Sequence, residues 1–286
     1  MIGDVKVSSL VEYFGPTHIP NAVFPDFDRK ELEANVDWVA PNHYAPAMDR
    51  FIVAIQIWVV QAGSNTIIVD TGVGNRKPRP VERMHQLNTL FPYWLEAIGA
   101  HPDKVTHVVM THLHTDHVGW NTVLKDNRWV PTFPNAKYYM PKTDFAYFKG
   151  VFENGPSDGG SFYDSVLPVV QAGLVEFIEN QKEIAGILSV EQAIGHTPGM
   201  LNYRVRSKGE EGIFCADVFH SVMQIACPTW NTAFCVLPDE ARKTRAAFLA
   251  KQADNGALVM PCHFGIPHCG YIRRKGNGYG FEPATW

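Results

Sequence analysis

Six consecutive residues, His112-Leu113-His114-Thr115-Asp116-His117, hold three imidazoles and a carboxylate. Neutral imidazole nitrogen and carboxylate oxygen are the donors that zinc and related divalent metals take up. Packing gives no reason to concentrate them in one short stretch; metal ligation does. His112 and His114, two positions apart, can face one cavity from a strand end and the loop after it. His196, in Gly195-His196-Thr197-Pro198-Gly199, must arrive from another strand-end loop and completes a set of three for one ion. Asp116 and His117, where the chain turns away, face a second ion, and His263 in Pro261-Cys262-His263-Phe264-Gly265 completes that site. Asp217 ends an expected strand, and its two oxygens can bridge both ions. His18, His43, His85, His101, His107 and His268 stand alone and read as surface or core residues.

Such ligands need strand ends to carry them. Residues 105–110 form a short, nearly all-apolar run, the kind buried on both faces of a sheet. It delivers the histidine cluster from its C-terminal end. Residues 51–61 and 65–70, rich in β-branched and aromatic side chains around Gly63-Ser64, predict a hairpin. Further strands are expected over 136–140, 175–178, 188–193, 201–207, 212–216 and 257–261, and helices over 88–99, 143–149 and 161–172. Residues 238–254 predict an amphipathic helix, with Pro238 at its start and Gly256 past its end. Residues 120–132 read as a polar loop or a region of short elements. Residues 1–50, with Pro16, Pro20, Pro25, Pro41 and Pro46 among many aromatics, read as an irregular arm that wraps the body and borders the site. The pattern is α/β, two similar halves of strands then helices, in one domain over 1–286.

The net charge of −4 lacks any block of like sign, so the electrostatic footprint of a nucleic-acid binder is absent. No run approaches the ~18 apolar residues of a membrane-spanning helix, and the N-terminus lacks a signal-peptide pattern. The five cysteines are odd in number and form no CxxC pair. They read as free thiols of a soluble cytoplasmic enzyme.

The motif His-x-His-x-Asp-His, then Gly-His-Thr-Pro-Gly, then Asp217 after a strand, then His263, resembles the metallo-β-lactamase superfamily over about residues 50–265. The resemblance implies a four-layer αββα sandwich with two metals at one edge. Asp70, in Asp70-Thr71-Gly72, matches a residue that supports the ligands through hydrogen bonds. Asp217, where lactam-hydrolysing members commonly use cysteine, is similar to the bridged two-metal branches. Thr111 through Asn121, Trp129 through Tyr138 and Ala216-Asp217-Val218-Phe219-His220 look like the branch of N-acyl homoserine lactonases and methyl parathion hydrolases. Lactonases of that branch often place a tyrosine three residues after the bridging aspartate. This chain has His220, whose imidazole can still donate a hydrogen bond to a carbonyl or oxyanion.

The implied activity is a binuclear metal-dependent hydrolase of lactones or esters, acting by attack of a metal-bridging hydroxide. The implied ligands are His112, His114, Asp116, His117, His196, Asp217 and His263, with Asp116 handling a proton and His220 assisting the carbonyl. Two divalent ions are expected, zinc first, with iron, manganese and cobalt fitting the same donors. One alternative is a phosphotriesterase or aryl-ester hydrolase with the same centre; another is an oxidoreductase like the mononuclear-iron persulfide dioxygenases. The partner is a small-molecule ester or lactone, without nucleic acid or membrane, in a homodimer by analogy. Met48, Trp120, Phe162, Phe219, Trp230 and Phe264 are candidates for an apolar pocket wall. Lys77, Arg79 and Arg83 read as a solvated basic group, and Cys262 as a core thiol.

Overall fold

A computed structural model of the chain describes residues 1–155, 160–180 and 183–285. It contains two compact units, one of Met1–Glu12 with Ile55–Ile187, the other of Tyr13–Ala54 with Leu188–Trp286. The strands of the first sheet are β1 (Lys6–His18), β2 (Tyr44–Ala45), β3 (Arg50–Ala62), β4 (Asn65–Val69) and β5 (His107–Val109). β6 (Thr122–Lys125) and β7 (Arg128–Pro131) form a separate two-stranded ribbon, and β8 (Lys137–Pro141) and β9 (Val175–Ile178) return to the first sheet. β10 (Glu183–Ile184), β11 (Leu188–Gln192), β12 (Leu201–Ser207), β13 (Glu210–Ala216), β14 (Leu258–Pro261), β15 (Gly270–Lys275) and β16 (Gly278–Pro283) make the second. The mixed α/β class expected from the sequence is what the chain forms.

In the first unit, β3 and β4 make the expected antiparallel hairpin, with Trp58 opposite Val69 and Ala62 opposite Asn65. β4, β5, β8 and β9 then run parallel. Ile67, Ile68, Val69, Val108 and Val109 are buried, as central parallel strands covered on both faces must be. Parallel pairing brings the C-terminal ends of β4 and β5 to one edge, so Asp70 and Thr111 emerge side by side. A core of Ile57, Ile68, Phe91, Val108, Trp120 and Tyr138 holds that edge in place.

The second unit reaches the same result by another route. β11, β12 and β13 are antiparallel neighbours, and β14 lies parallel to β13 with Ala216 opposite Pro261. The C-terminal ends of β13 and β14 therefore share an edge with the loop between β11 and β12. Asp217, His263 and His196 leave from these three places. The helix Pro238–Asn255 is stopped by Gly256, whose φ of 67° suits a residue without Cβ. Its buried face holds Ala241, Arg245, Phe248, Leu249 and Gln252, so it is not uniformly apolar. Arg245 explains its own burial: its guanidinium donates to the carbonyls of Val218, Pro228 and Trp230 at 2.9 Å each.

Several segments differ from the sequence expectation. Residues 1–50 are largely regular, with the 13-residue β1 and a helix Arg29–Val39 capped by Asp28, which accepts from the Lys30 N–H. Their prolines sit where they do little harm: Pro20 and Pro46 start helical turns, where a missing N–H costs nothing. Residues 122–131 take the short-element alternative, as a two-stranded ribbon, and β15–β16 extend the second sheet past His263. The stretch 161–172 begins with a π-helical turn, Phe162–Val166, before the α-helix Leu167–Gln171. Among the described residues, no helix is long and apolar enough to cross a membrane.

Candidate metal centre

In the first unit, the cluster follows β5 directly. Asp70 is buried and accepts from the Thr111 N–H at 2.7 Å, the Thr111 hydroxyl at 2.8 Å and His117 Nδ1 at 2.9 Å. These bonds fix protons as well as positions. Thr111 gives its hydroxyl proton to Asp70, so at 3.0 Å it accepts from His112 Nδ1. His112 and His117 each spend Nδ1–H in this way and turn a lone pair at Nε2 toward the other donors. His112 Nε2 lies 3.1 Å from His114 Nδ1, and His117 Nε2 3.8 Å from Asp116 Oδ1. The His112 and His117 ring centroids are 3.9 Å apart. The loop is zipped to its neighbour by Thr71 N–H to His117 O at 2.7 Å and Trp120 N–H to Thr71 O at 2.7 Å.

In the second unit, one buried carboxylate gathers three buried imidazoles. Asp217 Oδ2 lies 3.2 Å from His196 Nε2 and 3.0 Å from His220 Nε2, and Asp217 Oδ1 lies 3.1 Å from His263 Nε2. The donors of Asp217, His220 and His263 all fall within 4.8 Å of one another. His263 donates Nδ1–H to the Ala54 carbonyl at 2.8 Å, so its neutral ring turns an Nε2 lone pair at the Asp217 carboxylate. A lone pair facing an anion in a buried site calls for a cation between them. Burial works against protonation of His196, but Asp217, with Cys235 adding, pulls it up to about 9, so a proton can fill one of the three contacts. Burial holds His220 down at about 4, with His196 and His263 adding repulsion. The donor set and its spacing fit a divalent ion, whose ligands stand about 3 Å apart when each is ~2.0–2.2 Å from it.

His196 depends on an adjacent glycine. Gly195 has φ 146°, and a Cβ there would come within 2.3 Å of the Ala241 backbone at the start of the long helix. The segment beyond it is tied down by Val236 N–H to His196 O and Leu237 N–H to Gly195 O, both 2.9 Å.

Three contributors escaped the sequence reading. Glu12, on β1, is buried and accepts from the Val73 N–H at 2.6 Å, the Gly74 N–H at 3.1 Å and the Trp120 indole at 2.6 Å. Burial pushes its carboxyl up to about 7 against the lowering effect of those bonds. Ala54 offers only a carbonyl, and Cys235 lies 3.6 Å from His196 Nδ1. No local motif marks any of the three. Two expectations need correction. Trp120, Phe162, Phe219, Trp230 and Phe264 are all core residues, exposed by 4% or less, and of the six pocket-wall candidates Met48 alone is exposed. Lys77 and Arg79 are not solvated; both are buried against Asp164, at 3.3 and 2.6 Å. Lys77 also donates to Thr122 and sits over the Trp129 ring, contacts that offset only part of its desolvation, since burial still holds its pKa down at about 7.

The chain belongs to the metallo-β-lactamase superfamily, whose family model matches residues 51–263. With membership comes the broad class of metal-dependent hydrolases. Among curated proteins it is similar to N-acyl homoserine lactonase AiiB of Agrobacterium fabrum (strain C58), with 25% identity over 65% of this chain and 70% of that protein. Among solved structures, hydrolase AbOPH of the β-lactamase superfamily superposes with a TM-score of 0.83 at 24% identity, covering 100% of this chain and 96% of the other. AidC, a dizinc quorum-quenching lactonase bound to a product, N-hexanoyl-L-homoserine, gives a TM-score of 0.80 at 21% identity over the same shares. At these identities the structural matches speak for the fold alone.

Proposed function

We propose that the chain is a binuclear metal-dependent hydrolase of lactones or carboxylic esters. The proposed ligands are His112, His114 and His196 for one ion and Asp116, His117 and His263 for the other, with Asp217 shared. One observation carries the reading: His263 commits its Nδ1–H to Ala54, so its Nε2 lone pair faces Asp217 at 3.1 Å. Zinc is the proposed metal, supported by the histidine and aspartate donors and by the dizinc lactonase of similar fold. When bound, such ions lower the pKa of water to roughly 7 and polarise an ester carbonyl.

The chain's own residues do the rest. Asp70, Thr111 and Ala54 hold the imidazoles in one tautomer, so no reorientation precedes reaction. His220, neutral at pH 7, has one N–H to give, now directed at Asp217 Oδ2. With Asp217 engaged as a ligand, that N–H is available to the substrate's carbonyl oxygen. Asp116, part-exposed like His114 and unlike the buried His112 and His117, would carry a proton to the leaving alkoxide.

The test is hydrolysis by metal-quantified protein of acyl homoserine lactones, simple γ- and δ-lactones, an aryl ester and an aryl phosphotriester. About two ions per chain and lactone turnover abolished by a chelator is the expected result. His112→Ala and Asp217→Asn should each lower activity by at least about a hundredfold and reduce metal content while the fold survives. Full activity in either variant would sink the assignment, and turnover of the phosphotriester alone would move the protein to that chemistry.

A further inference from the structure

We propose that Cys235 is a positioning residue for His196, holding the ring nitrogen opposite the one presented to the metal. This rests on the reading of His196 as a ligand. Cys235 Sγ lies 3.6 Å from His196 Nδ1, while His196 Nε2 points at Asp217 Oδ2 from 3.2 Å. The thiol itself is held. Thr232 Oγ1 is 3.4 Å from Sγ, and the Cys235 N–H donates to the Thr232 carbonyl at 3.2 Å. The next two residues, Val236 and Leu237, pin their N–H groups to the carbonyls of His196 and Gly195. Sulfur and imidazole are therefore carried on two backbone segments bonded to each other, and neither can swing away alone.

With Nε2 given to a metal, one arrangement of protons follows: His196 Nδ1–H donates to Sγ, and the thiol S–H turns to Thr232 Oγ1. Three of the other proposed ligands use oxygen for this purpose: the Asp70 carboxylate for His117, the Ala54 carbonyl for His263 and the Thr111 hydroxyl for His112. At His196 the partner is a sulfur, half-buried rather than sealed in the core as Cys215, Cys262 and Cys269 are. Outer partners of this kind typically change metal affinity by about 10–100-fold when removed.

The experiment is zinc competition against a chromophoric chelator, with the full chain as wild type, Cys235→Ala and Cys235→Ser, and with thermal unfolding of each metal-free protein alongside. Cys235→Ala should bind one of its zinc ions at least about tenfold less tightly than wild type does, with a metal-free Tm within about 2 °C of wild type. Cys235→Ser, which keeps an acceptor for Nδ1–H, should recover most of the loss. Unchanged zinc affinity in Cys235→Ala would overturn the proposal. So would equal losses of zinc affinity and metal-free Tm in both variants, the mark of simple packing. A wild-type chain that takes up no zinc would overturn the ligand reading itself, an outcome distinct from both.

Discussion

At the scale of single residues, proton placement orients three of the proposed ligand histidines. His112, His117 and His263 each give Nδ1–H to an oxygen and turn Nε2 inward. His220 does not follow the pattern: its Nε2 meets Asp217, and its buried Nδ1 has no hydrogen-bond partner among the described residues. That difference fits a group that serves the substrate better than a ligand locked at both ends. Asp70 tests the idea most directly, because it fixes the Thr111 proton and the His117 ring together. Asp70→Ala should weaken zinc binding by about 10–100-fold and destabilise the metal-free chain by about 1–3 kcal/mol through orphaned buried donors. Chelator competition and urea unfolding would check both; wild-type zinc affinity in this variant would remove Asp70 from the support of the site. The seven proposed donors stand out in the sequence because clustering and order along the chain mark them. Their outer partners do not, because a carbonyl at Ala54, a thiol at Cys235 and a carboxylate at Glu12 carry no local signature and acquire their roles only from tertiary contact.

At the scale of elements, strand ends do the positioning, and this was partly visible in advance. The apolar run before His112 and the strands before Asp217 and His263 formed where composition placed them. Strands hidden by prolines or glycines did not announce themselves: β1 contains Pro16, and β15 and β16 flank Gly276 and contain Gly280. The long helix was expected for its apolar periodicity, yet two of its five buried residues are Arg245 and Gln252, held by hydrogen bonds that periodicity does not encode. Its first turn also fixes how closely the His196 loop can approach. Gly195→Ala would set a Cβ against the Ala241 backbone, at a φ that L-residues avoid. We expect a loss of roughly 2–4 kcal/mol and weaker zinc binding, since His196 is the next residue. Unfolding midpoints and metal content would report both, and a variant indistinguishable from wild type would show that the loop can shift without harm.

At the scale of the whole molecule, the formal charge of −4 says little about behaviour with pH, because several titratable groups are buried. His43 shows what composition hides. Its ring lies edge-on to Phe264 and Phe281, about 6 Å away, and burial, with the charge of His268 adding, holds its pKa down at about 4. In the unfolded chain it titrates near 6.5. Between those values the unfolded state binds the proton and the folded state refuses it, so stability rises with pH across the window and is lost as pH falls from 6.5 toward 4. The slope from one such proton is at most about 1.4 kcal/mol per pH unit. Urea midpoints of metal-free wild type should therefore fall faster on acidification than those of His43→Gln, which cannot titrate. The variant's absolute stability is beside the point, since only the difference in slope belongs to His43. Parallel profiles would mean that the ring is protonated in place, and that the aromatic packing beside the His263-Phe264 turn tolerates a charge that its burial argues against.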